Sequence, residues 1–403
     1  MRSSLAAKLN TLVNKPVQAQ VIARSEPRIE PIEHSCMIMD DAEPLSYYNG
    51  LTDVRANHVR LMNAPYDKKK RAAVDENAFA GFDIRKALFL DTETTGLHGA
   101  GVFAFLIGLG FVDGDCFVTR QILARNNFEE ASMLSIANDL LADASCVVTF
   151  NGKSFDMPLV CDRFRYARRM YGLKLDARRA EDLPHIDLLH ASRRIYKPRL
   201  GKCSLGNLEE RVLGIERDTD HDIPGELIPE RYYDYQRTGD FSLLEPILSH
   251  NREDVRSMAR IIIKLAESYD EPESLDPVDL YHLGVSMAKS GETSRARACF
   301  ESCVGNMTGS ALIRLAEIAK QAGNADEAVL YYKKSIEVCG DSHDSFEPYV
   351  ALAKLMEHRY NDARAALAYT RRAFMCASVS EMAELEKRRR RLVRKIEKGR
   401  HTY

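Results

Sequence analysis

From residue 86 the apolar residues come in runs. KALFLDTET, VFAFLIGLGFV and CFVTRQILA are separated by glycine-rich or Asp-Gly turns, the pattern of an antiparallel meander. FEEASMLSIANDLLADA changes period, with Leu134, Leu140 and Leu141 on one side of a predicted helix. SCVVTFNG reads as a buried strand, DMPLVCDRFRYARRMYG as a helix ending at glycine, and PHIDLLH as a further strand. SLGNLEERVLG and SLLEPILSHNREDVRSMARIIIKLAESY are helical and close the unit. Three antiparallel strands followed by alternating helices and strands predict a mixed α/β sheet over residues 84–268.

The flanks read differently. Residues 1–80 are expected to be a partly disordered extension, polar and proline-marked at first, with SCMIMDD as a short strand and DKKKRAAVDEN as a solvated linker. DEPESLDP, with two prolines, is read as a linker to residues 277–400. There a spacing repeats: Gly284, Ala296 and Phe300 recur as Ala316, Ala328 and Tyr332, then as Ala353, Ala365 and Tyr369. Small residues let paired helices approach and the aromatic fills the next groove, as in tetratricopeptide-like helix pairs. Such an all-α array binds a protein partner or covers its own neighbour. The basic stretch EKRRRRLVRKIEKGRH is read as a terminal capping helix or a mobile tail, and only secondarily as a nucleic-acid arm.

Composition narrows the class. With 403 residues and 45% hydrophobic content the chain can bury a sizeable core in two or three domains. Its 57 Lys+Arg against 59 Asp+Glu give no global pull toward a polyanion, so nucleic-acid binding requires local patches. SRRIYKPRLGKC, arginines and lysines with a tyrosine after the predicted HID strand, is the favoured patch. The nine cysteines have no CxxC pair or metal-like spacing and suit a reduced, cytoplasmic setting. No segment reads as a membrane span or a signal peptide.

FLDTETTGL concentrates the chemistry. Asp91 and Glu93 are two apart, so on a strand both point to one face, where they repel unless a cation lies between them. NGKSFD places Asp156 after a buried strand at a helix start, and HNREDV places His250 and Asp254 four apart on one helical face. Dispersed carboxylates without thiols or paired histidines suit Mg²⁺ or Mn²⁺, and two such ions can steady both oxygens of a phosphodiester displacement. Asp91, Glu93, Asp156 and Asp254 are the candidate ligands; His250, a histidine beside them, is the candidate general base.

DTETTGL, NGKSFD and HNREDV, in that order, resemble the three motifs of the DEDD superfamily of 3′ to 5′ exonucleases, which have an RNase H-like fold. With HIDLLH, CSLGNLEERVLGI and IPGELIPERYYDY they look like its YprB-like branch. The resemblance spans residues 86–265 and implies metal-dependent removal of nucleotides from a free 3′ end. It implies two ions on Asp91, Glu93, Asp156 and Asp254, and substrate contacts at Thr94, Leu97, Asn151 and Phe155, with Leu97 as a wedge against the terminal base. Asp187 has no place among the four ligands and is ranked second, as an orienting or substrate-side residue. In the third motif His250 stands at the spacing of the tyrosine-using members, three residues between it and the aspartate, where histidine-using members have four.

Each motif alone has a bland reading. DTETT imitates the opening of haloacid-dehalogenase-type phosphatases, but Glu93 stands where their second aspartate belongs. Asp156 alone is a plain helix-start residue, and Asp254 alone a surface partner for Arg252 or Arg256. The rival from another class is a catalytically silent module that works through its helical repeats. His185, His190 and His221 are isolated and receive no role.

Overall fold

The computed structural model describes residues 35–63, 79–96, 101–216, 223–305, 308–340 and 342–400. Strands β2 (Ala87–Thr94), β3 (Ala104–Asp113) and β4 (Cys116–Leu123) form the expected meander. The β3–β4 hairpin closes through two residues, with Gly114 at φ +56°, a conformation other residues resist. β5 (Cys146–Thr149) pairs parallel with β2, and β6 (His185–Asp187) parallel with β5. β1 (Met37–Pro44) closes the other edge antiparallel to β4, giving the order β1-β4-β3-β2-β5-β6. This is the mixed, RNase H-like sheet that the sequence predicts.

Alternation along β2 divides the core. Leu88 and Leu90 pack with Ile107 and Leu109 under helices Glu130–Asp143 and Asp156–Tyr171. Phe89 points the other way, into a layer with Val255, Met258 and Ile262 of helix Glu245–Asp270. That helix sits close because β3 carries glycines beneath it. A Cβ on Gly108 would lie 2.2 Å from Asn251 Oδ1, and one on Gly110 would lie 2.6 Å from Val255 Cγ1.

Two boundaries differ from the sequence reading. The expected 1–80 extension contains the edge strand β1 and helix Ala56–Met62, and Tyr48, Leu51, Val59 and Leu61 lie in the core, so the fold takes in chain well before residue 84. DKKKRAAVDEN lies outside the described residues. PHIDLLH is strand only as far as Asp187, whose carboxylate accepts the Leu189 N–H at 3.1 Å and starts helix Leu188–Ile195.

Beyond residue 276 the described chain is all helix: Pro277–Lys289 with Thr293–Ser302, Thr308–Gln321 with Ala325–Cys339, Phe346–His358 with Ala363–Cys376, then Val379–Arg400. In the first pair Phe300 and Cys299 pack against Gly284, where a Cβ would meet them at about 3 Å. Ala316, Ala328 and Tyr332 are buried at the matching places. The third pair slips. Its connection, residues 359–362, is longer than residues 322–324, and the buried alanine is Ala366 rather than Ala365.

The 270–277 stretch is no free tether. It forms a turn at Pro272–Ser274, and Asp276 then caps the next helix by accepting the Val278 N–H at 2.9 Å. Leu280 and Leu283 share a core with Ile186 and Leu188 of the sheet domain. Arg199 meets buried Asp279 at 2.6 Å across the same boundary. No helix of the described residues is long and apolar enough to cross a membrane.

Candidate nuclease site

The acidic residues meet at the carboxyl end of β2. Asp91 and Glu93 share a face with Phe89 and look toward helix Glu245–Asp270, which presents His250, Asn251 and Asp254. Asp156 arrives at the first turn of its helix, where Thr92 donates to Asp156 Oδ1 at 2.6 Å. Burial pushes the Asp156 carboxyl up to about 6, against the pull of that hydrogen bond. Glu93 is also held well above the usual carboxylate range, first by burial and then by the charges of Asp91, Asp254 and Asp156. The four carboxylates are therefore within electrostatic reach of one another.

His250 Nε2 lies 3.6 Å from Asp254 Oδ2, as the four-residue spacing requires. Arg252 and Arg256 turn elsewhere, to Asp41, Glu43 and Glu253. Thr94 is buried, and its hydroxyl donates to the Gly96 carbonyl at 2.8 Å. Phe155 is half-buried and immediately precedes the helix of Asp156. Leu97 lies outside the described residues.

Asn151 is exposed and left-handed at φ +69°, in the tight turn after β5. Asp187 secures that turn, accepting backbone N–H groups from Asn151 at 2.9 Å and Lys153 at 3.2 Å in addition to Leu189. Its 2%-exposed carboxylate is thus directed at backbone, the orienting alternative for this residue. His185 bonds Thr149 Oγ1 at 2.8 Å, and His221 lies outside the described residues.

Two residues that the sequence reading gave no role complete the site: Asn251, inside HNREDV, and Gln121, in no motif. Fully buried Asn251 donates through Nδ2 to Asp91 Oδ2 at 2.8 Å. Gln121 of β4, itself buried, donates to Asn251 Oδ1 at 3.0 Å and to the Leu248 carbonyl at 2.8 Å. The chain Gln121–Asn251–Asp91 fixes which way the Asp91 carboxylate points. The bare Cα of Gly108 makes room for the Asn251 amide.

Asp91 and Asp254 line a cavity of about 540 Å³ together with Arg193, Lys197 and Lys202. These three come from the SRRIYKPRLGKC stretch, and Asn151 and Phe150 also line the space. Among the described residues none of the three cations has an acidic partner. An anion approaching Asp91 therefore meets positive charge in the same cavity.

Among the described residues no three His, Cys, Asp or Glu side chains close into a finished metal cage. The donor set nonetheless fits Mg²⁺ or Mn²⁺: oxygens only, close enough to repel, with one oriented from behind by an amide.

Residues 88–266 match the RNase_H superfamily. The chain belongs to that superfamily, which comprises nucleases and nucleotidyl-transfer enzymes generally served by divalent metals. It is similar to the "Uncharacterized protein YprB" of Bacillus subtilis (strain 168), at 30% identity over 379 residues, covering 89% of this chain and 86% of the relative.

Proposed function

We propose that the protein is a metal-dependent 3′ to 5′ exonuclease. The observation that carries this reading is the shared cavity, which is lined by carboxylates and by cations that have no acidic partner among the described residues. A substrate suited to it combines a reacting phosphodiester with further negative charge, which nucleic acid does.

When held by Asp91, Glu93, Asp156 and Asp254, two Mg²⁺ or Mn²⁺ ions supply the charge that steadies the attacking and leaving oxygens. His250 takes a proton from the attacking water as its oxygen bonds to phosphorus, and the bond from phosphorus to the 3′ oxygen of the penultimate nucleotide breaks. A nucleoside 5′-monophosphate leaves and the strand keeps a 3′ hydroxyl. Asn251 and Gln121 keep Asp91 in its orientation through this step. Arg193, Lys197 and Lys202 grip the strand, while Asn151, Phe155, Thr94 and Leu97 surround the terminal nucleotide. Asp187 positions the Asn151 turn.

The helix pairs form a tetratricopeptide-like array in this reading, a surface for a protein partner. The test is degradation of an end-labelled oligonucleotide with Mg²⁺, Mn²⁺ or EDTA. Metal-dependent shortening from the 3′ end supports the exonuclease. A complex assembled through residues 280–376 by a protein that cleaves nothing would favour the silent scaffold.

A further inference from the structure

Beside the site lies a second hollow of about 380 Å³, and the two share Arg193 and Lys197 as a common wall. Lys153, His190 and Arg194 line the new hollow as well. Its one carboxylate, Asp187, is buried and accepts three backbone N–H groups. Lys153 is held in place by Asn63, to whose Oδ1 its Nζ donates at 3.0 Å, and Arg194 is anchored by the carbonyls of Leu61 and Met62. The half-exposed His190 ring lies 3.9 Å from Asp187. Four basic side chains around one inward-turned carboxylate form a receptor for an anion, set apart from the carboxylates that would perform the chemistry.

We propose that this hollow holds a backbone phosphate on the 5′ side of the cut. The inference rests on the exonuclease reading. A terminal nucleotide with a free 3′ hydroxyl carries no phosphate beyond the one being cleaved, so a second phosphate held nearby belongs to the strand that remains. Lys153 is the diagnostic side chain, because it lines this hollow and not the cavity of Asp91. The Lys153 backbone N–H that steadies Asp187 is kept when the side chain is replaced.

The test compares two substrates on wild type, Lys153→Gln and Lys153→Arg. One is a 5′-labelled single-stranded oligonucleotide; the other is the p-nitrophenyl ester of thymidine 5′-monophosphate, which has a scissile phosphate and no second one. The ratio of oligonucleotide to ester kcat/KM is expected to fall about tenfold in Lys153→Gln and to recover in Lys153→Arg. The salt dependence of oligonucleotide binding should become shallower by about 0.7 in log–log slope, the loss of one phosphate contact to a single strand. A constant ratio with an unaltered slope overturns the subsite while leaving the exonuclease standing. Wild type that cleaves neither substrate overturns the exonuclease reading and the subsite with it.

Discussion

Asn251 donates to Asp91 from behind while Gln121 holds Asn251, so a carboxylate aimed at the cavity is fixed by two buried amides. Asn251→Ala should lower turnover by about 10–100-fold, the usual cost of removing such a support. Half-saturation for Mn²⁺ should rise with it, and titration of the ion by calorimetry separates this from general damage. His250→Ala should slow turnover by about 10² and flatten the limb of the pH profile that reports the base. An unaltered profile would remove His250 from the mechanism. Asp156 titrates near 6 when folded, against 3.8 for an ordinary aspartate, so the folded protein binds this proton more tightly than the unfolded chain. Stability of the metal-free protein is then lost as pH rises from about 4 through 6. Asp156→Asn, whose amide oxygen still accepts from Thr92, should melt above wild type in EDTA at pH 7, and the gap should close below pH 4. Calorimetry at the two pH values checks it, and a lower melting temperature at pH 7 would contradict it. The acidic pair was legible because two-residue spacing on a strand leaves no choice of face, and His250 with Asp254 because four-residue spacing on a helix leaves little. Asn251 and Gln121 were not, since they are 130 residues apart in sequence and meet only when the helix crosses the sheet.

At the scale of elements, the 245–270 helix depends on two missing side chains. Gly108→Ala places a methyl where the Asn251 amide lies, and should cost about 1–3 kcal/mol as an overpacked contact. It should also impair turnover, because the displaced amide is the one that holds Asp91. Gly206→Ala is the control: it lies in helix Leu205–Leu208 with its nearest outside atom 3.8 Å away, and should gain about 0.5–1 kcal/mol. Urea unfolding of both variants reads the contrast. The meander and the long helices were visible in apolar periodicity. The limits of PHIDLLH were not, because an aspartate that ends a strand and one that caps a helix look alike in sequence. The third helix pair defeated the repeat spacing for a comparable reason, as its longer connection turned Ala366 inward in place of Ala365.

Across the whole molecule, the helical array is fused to the sheet domain. Leu283 is fully buried in the core that contains Ile186 and Leu188, and Tyr196 of the sheet domain bonds Ser268 at 2.9 Å just before the array begins. Leu283→Ala should cost about 2–5 kcal/mol and lower a single cooperative transition. Two separated transitions in calorimetry would show the units to be independent. The DEPESLDP composition did not reveal this fusion, because prolines and acids mark a turn as readily as a tether.

The most direct measurement is degradation of 5′-labelled single-stranded DNA and RNA with Mg²⁺, Mn²⁺ or EDTA, wild type beside Asp91→Ala. A ladder that shortens from the 3′ end is expected only for wild type with metal, while Asp91→Ala folds and leaves the strand whole. Equal cleavage by Asp91→Ala, or no cleavage by wild type under any condition, would contradict this expectation.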